Sequence, residues 1–185
     1  MGSLGFRKTG VDVIGEAPWG THIAVLYSTK EDLLDVTAPY ITQGLLNNEL
    51  CIWLYSSNTN FGEIKEAIGK YLTDIDEYLE AGNLRILSCA EWYMKDGSFN
   101  EAITTEHLIG SADDISAHCF EGLRIAGDTS WLDKSDFQSF SHYEMNVNSF
   151  SSEIPFLALC LYDAHRTDIS DFSEIINNHN YVLVG

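Results

Sequence analysis

Short apolar runs recur along the chain, each closed by a polar turn and followed by a longer stretch with helical spacing. The runs are His22–Tyr27, Leu50–Tyr55, Leu84–Cys89, Gly122–Gly127, Pro155–Tyr162 and Tyr181–Val184. Most are apolar at successive positions rather than alternating ones, which predicts strands covered on both faces. Between them lie helical stripes: Leu33, Thr37, Ile41 and Leu45; Phe61, Ile64, Ile68, Tyr71 and Leu72; Leu108, Ala112, Ile115 and Cys119; Phe140, Tyr143, Val147 and Phe150. Shorter ones carry Ile75, Tyr78 and Leu79, stopped by Gly82, and Phe172, Ile175 and Ile176. Capping boxes are expected at Ser28–Glu31 and Ser98–Glu101. Pro39 predicts a kink in the first helix, and Gly110 with Asp113–Asp114 a break in the long one. The connections are too long for hairpins, so the fold class is three-layer α/β, a mainly parallel sheet flanked by helices. The order of the strands cannot be read this way.

Residues 1–20 depart from that rhythm. Gly5, Gly10, Gly15, Pro18 and Gly20 break any helix and predict an irregular arm with one extended piece at Val11–Ile14, anchored by Trp19. Residues 21–185 then form a single α/β domain, a size that supports one well-buried core.

Charge narrows the partners. Ten basic against 28 acidic residues give a formal charge of -18, which repels phosphate backbones and anionic membranes, so no direct nucleic acid and no membrane is expected. No apolar run approaches the roughly 18 residues of a span, and no signal peptide opens the chain. The cysteines, Cys51, Cys89, Cys119 and Cys160, are single and widely spaced, as free thiols are in a reducing cytoplasm. No zinc spacing occurs, and neither a metal nor a cofactor is expected.

The chemistry concentrates where strands end. In a parallel sheet, ligands bind beyond the carboxyl ends of the strands. That rim would collect Tyr27, Tyr55, Trp92, Tyr93, Asp128, Trp131, Tyr162, Asp163, His165 and Arg166, aromatics with a few polar groups, as in a pocket for a small organic molecule. Glu144 joins them from the edge of a helical stripe, either as a boundary carboxylate or as a buried contact to a ligand. His22 begins the first strand, at the opposite rim, and reads as a packing residue. A phosphate loop needs glycines and a lysine, and Ser28-Thr29-Lys30-Glu31 offers no glycine. A nucleophile elbow needs G-x-S-x-G, and Gly127-Asp-Thr-Ser-Trp131 does not supply it. Asp163 and His165 could still serve Ser130 or Cys160, so a hydrolase is kept as the least favoured class.

In order and spacing, Val11–Gly15, Pro18–His22, Lys30–Leu34, Asp96–Phe99, Gly122–Trp131, Tyr143–Glu144 and Leu159–Asp163 resemble the MEDS domain, the methanogen and methylotroph sensory domain. The resemblance runs from about residue 11 to the end. It implies a RecA-like fold without its phosphate loop, sensing a hydrocarbon derivative or methylated compound in signal transduction or transcription control. It also implies a histidine kinase, PAS or DNA-binding output domain, in cis or in trans, none of which is present in this chain. The acid after the fourth-strand glycine is often Glu in the family, and Asp128 is shorter. The expected site is thus Tyr27, Tyr93, Asp128, Trp131, Glu144, Tyr162, Asp163 and His165, with Tyr93, Trp131 and Tyr162 around the apolar part of the ligand. The competing class is an interaction domain without ligand, with a homodimer among its forms.

Overall fold

The computed structural model of the chain describes residues 5–147 and 154–185; Phe150, the last member of its predicted stripe, lies outside them. A six-stranded sheet forms the middle layer. Its strands are β3 (Thr21–Tyr27), β4 (Leu50–Tyr55), β5 (Leu84–Ser88), β8 (Leu123–Asp128), β9 (Phe156–Asp163) and β10 (Tyr181–Val184), all parallel, in the order β10-β3-β9-β8-β4-β5. One face packs against α1 (Lys30–Leu46), α2 (Phe61–Gly69) and α3 (Ile75–Glu80). The other face carries α4 (Cys89–Tyr93), α5 (Glu101–His118), α6 (Lys134–Val147) and α7 (Ile169–Asn178). The three-layer α/β architecture is the expected one. Among the described residues no helix is long and apolar enough to cross a membrane.

The arm differs from expectation. Val11–Ile14 is a turn in which the carbonyl of Val11 accepts from Ile14 and Gly15, while β1 (Phe6–Lys8) and β2 (Glu16–Pro18) pair antiparallel on either side. Thr9 closes the turn by donating to the Val11 and Gly15 carbonyls, a local bonding pattern that competes with an extended strand. Trp19 does anchor the arm: its ring lies where a Cβ on Gly122 would stand, 2.6 Å away.

Arg124 holds the arm more firmly. It is fully buried, and all five of its N–H groups find acceptors. Nε and Nη2 donate to Glu49 at 2.5 and 3.2 Å, Nη1 to the carbonyls of Thr9 and Tyr40, and Nη2 to that of Lys8. A Cβ on Gly44 would sit 2.5 Å from the Arg124 Cδ, so the glycine in α1 is what lets the guanidinium pass.

Helix boundaries shift by small steps. The first capping box is Thr29 with Asp32, one residue beyond Ser28–Glu31. Pro39 sits inside a helix that runs on to Leu46. After β5 the chain forms α4, capped by Ser88 and Glu91, followed by a short hairpin of β6 (Met94–Lys95) and β7 (Ser98–Phe99). Because Ser98 is taken by that hairpin, Asn100 caps α5, accepting from Ile103. The helix passes Gly110 and Asp113–Asp114 without a break.

Candidate ligand-binding site

At the carboxyl rim the sheet presents a closed hydrogen-bonded knot. Asp128, at the tip of β8 and 1% exposed, accepts from the Tyr27 hydroxyl at 3.0 Å, from the Ser130 N–H at 3.0 Å and from the Ser130 hydroxyl at 2.8 Å. The Ser56 hydroxyl also donates to it, and Asn58 donates to the Tyr27 oxygen at 3.0 Å. Burial, then the Asp128 charge, push the Tyr27 phenol well up. Both acceptor oxygens of Asp128 are therefore engaged within the protein.

The helix start beside this knot is likewise self-satisfied. Asp32 accepts from the backbone N–H of Thr29 at 2.8 Å and of Ser28 at 3.2 Å. These contacts, the Thr29 hydroxyl first, hold its carboxyl below the ordinary value. Lys30 turns away to pair with Glu63 at 2.7 Å. A helix N-terminus attracts anions through free N–H groups and its positive dipole; here a carboxylate already occupies that place.

Behind the knot the aromatics pack on one another. Tyr93 stacks on Trp131 with centroids 5.1 Å apart, and Phe140 meets both edge-on at 5.7 Å. Trp131 thus backs Tyr93 instead of standing open at the rim, and Trp92 turns to His107 of α5. Asp163 and His165 form a surface turn, Asp163 accepting from the His165 N–H at 2.9 Å.

Between the sheet and α6 lies a partly enclosed cavity of about 30 Å³, walled by Tyr93, Gly127, Phe140, Tyr143, Glu144 and Cys160. That is room for one or two waters, or for a ligand of a few atoms after small adjustment. Its polar side is unusual. Glu144 is 3% exposed; its Oε2 accepts from the Tyr162 hydroxyl at 2.5 Å, and its Oε1 has no hydrogen bond. His179 Nε2, also without one, lies 3.7 Å from that oxygen. His22, from β3, places Nε2 3.0 Å from Cys160 Sγ and its ring 4.0 Å from that of His179. Burial, then Glu144, push the thiol of Cys160 well up, so it is no ready nucleophile. Tyr162 also walls a shallow opening at the rim, next to Ser130, Asp163 and Arg166. The Tyr162–Glu144 hydrogen bond therefore links rim and cavity.

The eight expected residues thus fall into separate groups. Tyr27 and Asp128 form the knot, Tyr93 and Trp131 the aromatic stack, Glu144 and Tyr162 the link to the cavity, and Asp163 with His165 the exposed turn. His22, Cys160 and His179 were not among them. His22 stands at the amino end of β3, as expected, but it is buried there with Nε2 facing Cys160 of β9. The only signal in the sequence is a histidine within an otherwise apolar strand.

Six parallel strands between two helical layers make this a three-layer α/β domain of RecA-like fold. A KaiC-like protein from the hyperthermophilic archaeon Pyrococcus horikoshii is similar in structure, with a TM-score of 0.66 at 14% identity, covering 98% of this chain and 80% of that one. The likeness is one of fold. Over residues 21–180 the chain matches the family described as MEDS, the methanogen/methylotroph, DcmR sensory domain, and it belongs to that family. No curated protein matches it.

Proposed function

We propose that the chain is a non-catalytic input module that holds a small organic molecule, a hydrocarbon derivative or methylated compound, in the cavity between the sheet and α6. The carrying observation is the partly enclosed, aromatic-walled cavity with a buried carboxylate oxygen left without a hydrogen bond. An unsatisfied buried carboxylate costs more than its net gain when paired, so a ligand that donates to it recovers that energy. Methylammonium has the right chemistry: its cation suits Glu144 and the ring faces, and its methyl group the apolar wall. Ligand occupancy would alter the Tyr162–Glu144 contact and with it the seating of α6, which an output module, in cis or in trans, reads. Family membership supports the sensory role, and the occupied helix N-terminus argues against nucleotide hydrolysis.

The test is thermal unfolding with millimolar methanol, methylammonium, dimethyl sulfide and acetone. At least one should raise the melting temperature of the wild type, and methylammonium should lose its effect in Glu144→Gln. No shift with any of them overturns the reading. The rim aromatics are filled by their own side chains, which favours a second reading, an interaction domain. Its surface would include the edge strand β10, with Val184 72% exposed.

A further inference from the structure

We infer that His22, Glu144, Cys160 and His179 form a site for one divalent transition-metal ion of the zinc class. They come from β3, α6, β9 and the end of α7, and a donor atom from each lies within 4.8 Å of all the others. A tetrahedral ion with bonds of about 2.0 to 2.3 Å places its donors about 3.3 to 3.8 Å apart. His179 Nε2 and Glu144 Oε1 already stand at 3.7 Å, and His22 Nε2 and Cys160 Sγ at 3.0 Å. Side-chain adjustments of a few tenths of an ångström to about one ångström complete the shell.

The surroundings are those of a metal site. His179 Nδ1 lies 2.7 Å from the Ile175 carbonyl, so that nitrogen carries the proton and Nε2 presents its lone pair to the cluster. The Tyr162 hydroxyl fixes the far oxygen of Glu144 at 2.5 Å, leaving Oε1 as the donor. Two neutral imidazoles, one thiolate and one carboxylate carry two negative charges, which a divalent ion balances in a buried place. Binding displaces the Cys160 thiol proton to solvent. Among the described residues the only ion-pair partner of Glu144 is His179, so without an ion this carboxylate has no lysine or arginine to offset its burial. The mixed N, O and S donor set suits zinc or cobalt better than calcium or magnesium. None of this depends on the organic-ligand reading; the ion would take the same Glu144 oxygen that reading gives to methylammonium, so the two are alternative occupants, and the ion would join α6 and α7 to the sheet.

The test uses the purified chain, stripped with chelator and titrated with Co²⁺ alone. One equivalent should bind with the visible bands of a tetrahedral site and a thiolate-to-cobalt charge-transfer band. Cys160→Ser should lose that band, whereas Cys119→Ser, at the exposed cysteine, should keep it. Tyr162→Phe should keep the band but bind about 10- to 100-fold more weakly. Absence of the band in the wild type, or its survival in Cys160→Ser, overturns the site. If Cys160→Ser does not fold, X-ray absorption of the zinc-loaded wild type decides. One sulfur at about 2.3 Å with nitrogen and oxygen neighbours is expected, and no sulfur, or two, overturns it. No organic compound enters either measurement, so its outcome is separate from that of the sensory reading.

Discussion

Replacing Gly127 by alanine puts a methyl group into the cavity wall. The new Cβ would stand 2.6 Å from the Tyr93 hydroxyl oxygen, against 3.4 Å or more for an ordinary contact. Tyr93 must retreat by close to an ångström, yet its ring is stacked on Trp131 and met edge-on by Phe140. Overpacking of this kind costs about 1 to 3 kcal/mol, or a fall of roughly 2 to 12 °C in melting temperature for a chain of this size. The free space, about 30 Å³, holds one or two waters, and the new methyl group intrudes on it from the wall. A ligand at a hundred times its Kd stabilises the wild type by about 2.7 kcal/mol; Gly127→Ala should fold and lose that increment. Thermal unfolding of both proteins, with and without whichever of the four compounds stabilises the wild type, reads the difference. An undiminished ligand shift in a folded Gly127→Ala protein would refute the assignment of the cavity.

Three further outcomes follow from the same contacts. Arg124→Met leaves Glu49 charged and buried without its partner, and should cost about 3 to 5 kcal/mol in urea unfolding while freeing the arm to proteolysis; a loss below about 1 kcal/mol would contradict the role given to this pair. Asp32 has a lowered pKa when folded, so its contribution is present above the unfolded carboxylate range and is lost as pH falls through the lower folded value. Asp32→Asn should therefore be less stable than wild type at neutral pH, the difference vanishing in acid, and a pH-independent difference would count against the capping role. Magnesium ATP should leave the melting temperature unchanged, since Asp32 fills the anion place and Lys30 is paired with Glu63; a clear rise would reopen nucleotide binding.

The layers were legible because each central strand is apolar at successive positions, as in Cys51-Ile-Trp-Leu, and each covering helix shows one apolar stripe. The caps slipped by a residue or two because Ser28, Thr29, Ser98 and Asn100 all satisfy the local chemistry, and only the hairpin at Met94–Phe99 decides between the last two. Arg124 was hidden in what reads as an apolar strand; its burial requires Glu49, the Thr9 and Lys8 carbonyls and the absent side chain of Gly44, partners far apart in sequence. The candidate site was legible in part for the same reason. Glu144 and Tyr162 could be named from the helix edge and the strand end, whereas His22, Cys160 and His179 are single residues on three elements. Only the strand order, which places β9 beside β3, brings them together.

The most direct measurement of the central claim is the mass of the chelator-treated protein under native and denaturing conditions, before and after incubation with the four small compounds. The account predicts a non-covalent increment equal to one small organic molecule, present in the native spectrum, absent on denaturation and lost in Gly127→Ala. An unliganded mass under every condition would contradict it.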